Sequence, residues 1–298
     1  MAEVATFATH DQLLVVIDPV ARHTDGESVR IAKDVLSAGA ATKVCLPEGP
    51  EEFARALARR GSRRPVVIGD DRALLRAVSL LHRRRELAEC ALSMVPVGGA
   101  LTLARALGVP TDAVAAARTV LDGAVRRLDL LVDDSDGVVL GALRIPPAPP
   151  ARAPRVEPVT SSSGAGHPWL ADHPWLRTYQ SLVRTLVPAR PHRQPLSSVP
   201  RPGPARLRVE VDGVTLVDLD QPVAGIRVVP GASGLAEVEV RPASVGAEAS
   251  PLRASGRTVT VSGADFRYRA DTAVAGPVRT RTWVVRQGAW GLTLPPPK

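Results

Sequence analysis

VVIGDDRALLRA, from Val66 to Ala77, passes without a break from an apolar run to an amphipathic one. Val66, Val67 and Ile68 form an uninterrupted β-branched run, which suits a strand covered on both faces. From Ala73 onward the apolar residues recur at helical spacing. The reading is therefore a strand over Pro65–Gly69 and a helix over Ala73–Leu87. Between them stand Asp70, Asp71 and Arg72. A short strand-to-helix loop presents backbone amides and the positive end of a helix, a natural place for an anion. Asp71 is open to two readings, an acid that acts on a ligand or a helix N-cap for Ala73–Leu87.

Working outward, the same alternation of strand and helix recurs. Leu13–Ile17 (LLVVI) is a strand, Gly26–Ala38 a helix and Thr42–Leu46 a short strand. PEEFARALARRG follows, with Pro50 in the first turn, Glu51 and Glu52 favouring a helix N-terminus, and Gly61 as the stop. Ala91–Val95 is a strand, and Leu101–Leu107 a helix stopped by Gly108 and Pro110. Thr111 is expected to cap a further helix that runs to about Arg127. Such connections return strands side by side, so residues 1–145 are read as an α/β domain, a parallel sheet flanked by helices.

From Pro146 to Pro204 the composition changes, with 14 of the 28 prolines in these 59 residues. Each proline removes a backbone donor, so residues 146–204 are read as a linker. It holds one amphipathic helix over 174–187, with Trp175, Leu176, Tyr179, Leu182, Val183 and Leu186 on one face. From Ala205 the period drops to two. Leu207, Val209 and Val211 alternate with Arg208, Glu210 and Asp212, and further short β-branched runs follow, separated by Gly, Pro or Ser. Residues 205–298 are read as an all-β domain.

Composition excludes several classes. The longest apolar runs are too short to span a bilayer, and MAEVATFATHDQ lacks the basic region and apolar block of a secretory signal. Cys45 and Cys90 sit in apolar strand-like runs and read as buried thiols. The expectation is a cytoplasmic protein that reaches the membrane, if at all, from its surface. A net charge of +8 suggests an anionic partner, but the basic residues are nearly all arginine, and 3% aromatic residues supply few platforms for stacking bases. Nucleic acid is therefore not the expected partner.

Several stretches, in this order, resemble the diacylglycerol kinase catalytic-domain family and its NAD kinase relatives. LLVVIDPVA (Leu13–Ala21) looks like that superfamily's first strand and Asn-Pro turn, with Asp18 in the Asn place. VVIGDDRALLRA resembles its strand, Gly-Gly-Asp-Gly-Thr loop and helix. VPVGGALTLARALGVP (Val95–Pro110) is similar to its Pro-x-Gly-Thr-x-Asn-Asp-x-Ala-Arg segment. Arg127-Leu128-Asp129-Leu130 matches the next strand, FRYRADTAVAG around Asp271 takes the place of Asp-Gly-Glu, and GAWGLTLP resembles the last strand. The likeness covers residues 12–145 and 205–295.

The resemblance implies an ATP-dependent lipid kinase, with ATP and Mg²⁺ as cofactors and a diacylglycerol-like alcohol at a membrane surface as acceptor. Asp71 and Asp271 would be the catalytic acids. Gly69, Asp71, Arg72, Gly98, Gly99 and Thr102 would line the nucleotide, and no metal ligand set is assigned. Glycine there lets amides approach phosphate, while charge neutralisation and positioning carry phosphoryl transfer. The sequence departs from the pattern at Asp70 and Arg72, which replace glycines, at Ala73, which replaces Thr, and at Gly99, Leu101 and Thr102, which replace Thr, Asn and Asp. Two other readings follow, a pseudokinase that binds nucleotide or lipid without turnover, and an NAD kinase-like enzyme. His167 and His173 of the HPWL repeat lack a third ligand, so no metal is read there. Arg267, Arg269, Arg279, Arg281 and Arg286 make a basic cluster that reads either as a solvated strand face or as a surface for phosphate or anionic headgroups.

Overall fold

The computed structural model describes residues 12–147, 204–231, 233–243 and 250–296. The expected helix at 174–187 and most of the Pro-rich segment lie outside these residues.

The N-terminal half runs β1 (Gln12–Ile17), α1 (Pro19–Thr24), α2 (Gly26–Gly39), β2 (Ala41–Cys45), α3 (Pro50–Ala58), β3 (Arg64–Gly69), α4 (Asp71–Arg83), β4 (Ala91–Pro96), α5 (Thr102–Ala106) and α6 (Ala113–Asp122). Strands β5 (Ala124–Asp133), β6 (Val138–Val139) and β7 (Leu143–Ile145) follow. Beyond residue 204 come β8 (Ala205–Val211), β9 (Val214–Val217), β10 (Pro222–Pro230), β11 (Ala236–Pro242), β12 (Leu252–Gly256), β13 (Thr258–Ala270) and β14 (Ala273–Leu294). The chain thus has an N-terminal α/β region and a strand-rich C-terminal region.

The strands β2–β1–β3–β4 pair in parallel, in that order. Their β-branched runs are buried because helices cover both faces. Leu14 and Val16 pack with Phe53, Leu57 and Leu74 on one side. Leu13, Val15 and Ile17 pack with Val29, Leu36 and Val120 on the other. Adjacent residues of one strand serve opposite cores, as the pleat requires.

Parallel pairing stops at β4 and the end of β14, and every other pairing is antiparallel. β14 has 22 residues and pairs with β13, with β5 and with β4, so one strand joins the α/β region to the strand-rich one. Buried Ser93 on β4 donates its hydroxyl to Thr293 on β14 at 2.8 Å across this junction. β5 and β7 pair with strands from beyond residue 204, and β6 pairs with β5. The C-terminal core holds Leu143, Ile145, Val209, Ile226, Val238, Val261 and Trp283, with Tyr268 edge-on to Trp283 at 5.3 Å.

Two local expectations are corrected. The last helix is capped by Asp112, which accepts from the Ala115 amide, and not by Thr111. It ends at Asp122 instead of near Arg127, because Ala124–Leu128 pair antiparallel with Leu294–Trp290. Gly123 makes that reversal possible, since a Cβ there would lie 2.3 Å from the Thr119 carbonyl oxygen and 2.6 Å from that of Leu294.

Candidate functional site

β3 and β4 end side by side, with Gly69 opposite Pro96. Gly69 is required there, as a Cβ would sit 2.6 Å from the Ala73 Cβ and 3.0 Å from the Asp18 Cβ. The two loops are stitched by backbone bonds, Val97 N–H to the Gly69 carbonyl and Asp71 N–H to the Ala100 carbonyl, both 2.9 Å. Gly98 has φ of +123°, and a Cβ on it would meet the Asp70 Cβ at 3.4 Å. Gly69, Asp71, Gly98 and Gly99 therefore converge at the C-terminal ends of neighbouring strands, where open α/β sheets take their ligands. Arg72, Gly99 and Thr102 are exposed around this point.

The two aspartates of the first loop have separate partners. Asp70 is the N-cap of α4, and its Oδ1 accepts from the Arg72 and Ala73 amides at 3.0 and 3.1 Å. The cap read from sequence as Asp71 is thus one residue earlier. Asp71 is buried and turns toward the second loop, where Oδ2 accepts from Leu103 N–H at 2.8 Å and Oδ1 from Ala104 N–H at 3.0 Å. One aspartate satisfies the start of α4 and the next satisfies the start of α5. Burial lifts the Asp71 carboxyl above its ordinary range, against the pull of the Leu103 and Ala104 amides and with a smaller push from Asp70.

The third acid arrives from the strand-rich region. Asp271 opens the two-residue turn between β13 and β14, in the left-handed region at φ 49°. Its carboxylate accepts from three successive amides, Leu140 at 2.8 Å, Gly141 at 2.8 Å and Ala142 at 2.9 Å, and its own N–H donates to the Ala142 carbonyl. This grip holds an otherwise strained backbone in place. Burial raises the Asp271 carboxyl, the three amides oppose it, and the charge on Asp71 raises it further. The two acids expected to act together are thus within electrostatic reach of one another.

A further pair, Asp18 and Arg76, is not assigned to the site from the sequence, although Asp18 stands in the family's turn. Asp18 is buried, caps α1 by accepting from Val20 N–H, and receives Arg76 Nη1 at 2.8 Å. Arg76 also lies over the Phe53 ring, 5.4 Å from its centroid. Arg76 follows Arg72 by one helical turn on α4, and that spacing was the available hint of a basic face at the sheet end.

The expected phosphate cradle can be tested against these bonds. A triphosphate held at a strand-to-helix loop needs amides that have no acceptor of their own. Here the amides of Arg72 and Ala73 go to Asp70, and those of Leu103 and Ala104 go to Asp71. Those four amides are therefore not available to a phosphate. Among the described residues no group of three or more His, Cys, Asp or Glu is placed to hold a metal ion. Also among the described residues, no helix is long and apolar enough to cross a membrane.

Parallel strands ending in two touching glycine-bearing loops, with an acid returned to them from a strand-rich region, define an α/β class with a candidate ligand site at the sheet end. Comparison with family models makes the class specific, since residues 12–132 match the diacylglycerol kinase catalytic domain. That matched segment resembles the family and makes up less than half of the chain. No curated protein matches the chain. Among solved structures, a crystal structure of a diacylglycerol kinase from Bacillus anthracis str. Sterne is similar with a TM-score of 0.66 at 12% identity, covering 97% of this chain and 99% of that one. A crystal structure of a candidate diacylglycerol kinase from the same organism gives 0.65 at 14% identity, covering 98% and 99%. At such identities the likeness is one of fold, and it extends over the strand-rich region as well.

Proposed function

We propose that this protein is a pseudokinase of the diacylglycerol kinase fold, one that works by binding and does not sustain ATP-dependent phosphorylation of a lipid alcohol. One observation carries the reading: the Asp70 carboxylate already accepts the Arg72 and Ala73 amides at the start of α4. A phosphate brought there would meet a fixed negative charge. At about 4 Å and an effective dielectric near 20, a like-charge pair costs roughly 4 kcal/mol before screening. The exposed Arg72 offsets part of that cost, but it does not return the two amides.

A second reading, retained but slow lipid phosphorylation, has one observation in its favour. Asp71 is buried and Asp271 half-buried, both carboxyls are raised, and the charge on Asp71 reaches Asp271. Perturbed acids that face one another are common where protons are moved. Radiolabelled ATP with diacylglycerol in mixed micelles separates the two readings. The expected result for the wild type is no lipid phosphate above a protein-free blank and no thermal shift with Mg-ATP. Turnover that Asp71→Asn abolishes would overturn the pseudokinase reading.

A further inference from the structure

The outer face of the strand-rich sheet carries a row of arginines in direct cross-strand register. Arg227 on β10 stands opposite Arg144 on β7, and Arg144 stands opposite Arg269 on β13. The row continues outward through Glu239 on β11, paired with Arg227, to Arg253 on β12, paired with Glu239. In the core beneath, Leu143, Ile145, Ile226, Val228 and Tyr268 are all buried, so strand alternation places the arginines together on the opposite face.

This arrangement is costly unless something anionic meets it. Like charges directly opposite in a sheet are destabilising, and here two such pairs share Arg144. Glu239 does not neutralise them, since its carboxylate is engaged by Arg241 at 2.9 Å and Arg253 at 3.5 Å. Among the described residues none of Arg144, Arg227 and Arg269 has an acidic partner, and Arg269 Nε is buried without an acceptor. Other arginines of the basic cluster read from the sequence behave differently. Arg279 pairs with Asp265 and Arg281 with Asp134, so Arg269 is set apart by its place in the row.

The surface is also shaped. A depression of about 520 Å³ is lined by Arg144, Arg227, Arg241, Pro146 and Gly225, with the Arg-paired Glu239 also on its wall. It opens where the register of β10 against β11 shifts between Val223 and Gly225. Neighbouring strands are about 4.8 Å apart, so three arginines in a row span roughly 10 Å. Guanidinium groups at that spacing can each give paired hydrogen bonds to phosphate oxygens.

We propose that the Arg227–Arg144–Arg269 row is a binding site for phosphate groups, distinct from the loops at the ends of β3 and β4. The site is independent of whether the protein turns over ATP. The same chemistry is offered by a free phosphate compound and by a lipid headgroup, and two probes distinguish them. Full-length wild type, Arg144→Gln, Arg227→Gln and the double variant are titrated with sodium pyrophosphate. They are also floated with phosphatidylcholine vesicles, with and without phosphatidic acid. Arg279→Gln, which removes the same charge off the row, is the control.

Affinity for one probe should fall on the order of tenfold per arginine removed from the row, and remain unchanged in the control. Loss with pyrophosphate assigns a soluble ligand; loss confined to phosphatidic acid vesicles assigns a headgroup. Without any anion at low salt, Arg144→Gln should raise the Tm by about 1–3 °C, because it removes both repulsive pairs. A row of purely structural importance would lower it. Binding of neither probe, equal weakening in Arg279→Gln, or unchanged binding in the double variant would each overturn the proposal.

Discussion

The carboxylates of Asp71 and Asp271, 200 positions apart in the chain, are joined by a bridge of two residues, Leu103 and Gly141. Leu103 N–H donates to Asp71, and Gly141 N–H donates to Asp271. The two bridge residues are also in close contact. A Cβ on Gly141 would lie 2.8 Å from Leu103 Cδ1 and 3.0 Å from Asp271 Oδ1. One acid comes from the α/β region and the other from the turn of the last hairpin, and the bridge couples their positions.

That contact predicts the outcome of Gly141→Ala. The Leu103 tip can swing aside, but the Asp271 carboxylate is pinned by three amides. Overpacking of this kind costs about 1–3 kcal/mol. Urea denaturation of the variant should show a lower midpoint with an unchanged slope. An unchanged midpoint would mean that the bridge has room the geometry does not show.

Stability should depend on pH through the same two acids. Both carboxyls are raised from 3.8, first by burial. A raised value means that the folded state holds protons more tightly than the unfolded chain. Their contribution is therefore complete below the ordinary carboxylate value and is lost as pH rises through the raised values. Asp71→Asn removes one acid and the repulsion it exerts on Asp271. The difference in unfolding free energy, wild type minus variant, should decline as pH rises above the ordinary carboxylate value of 3.8. A difference that rises over this range would contradict the burial of the pair.

Asp70 should behave as a cap first. Asp70→Ala removes the acceptor for the Arg72 and Ala73 amides and should cost about 1 kcal/mol, measured by thermal or chemical denaturation. Asp70→Gly, which restores the residue of the family loop, should cost only a few tenths of a kcal/mol. It should also gain a thermal shift with Mg-ATP that the wild type lacks. If Asp70→Gly shows no response to nucleotide, the block lies elsewhere in the loops.

The junction between the two regions can be probed at Ser93 and Thr293. Ser93→Ala strands a buried hydroxyl on Thr293 and should cost about 1–3 kcal/mol. Replacing both, with Ser93→Ala and Thr293→Val, removes both polar groups from the buried site and should recover most of that loss. Additive losses in the double-mutant cycle would show that the hydroxyls do not depend on one another.

Much of the architecture is legible in the chain itself. The continuous apolar runs at Leu13–Ile17 and Val66–Ile68 announce strands buried on both faces, because helices on both sides keep water from them. The change of period after Ala205 announces the strand-rich part, since a period of two suits only a pleated surface, but β5 and β7, which precede the proline-dense stretch, pair into it as well. The candidate site is marked by the resemblance of the two glycine-bearing loops and of the segment around Asp271 to the family's motifs. What local pattern does not contain is the identity of distant partners. By periodicity Arg126 and Arg127 read as the end of a helix, and pairing with β14, more than 150 residues on, makes them a strand. Asp70 and Asp71 are adjacent and alike, and tertiary packing alone sends one to the start of α4 and the other to the start of α5. The arginine row is likewise spread over three strands from residues 144, 227 and 269, each unremarkable in its own segment. Composition and period are properties of neighbours in sequence, whereas the electrostatics of a site depend on which groups the register of a finished sheet brings face to face.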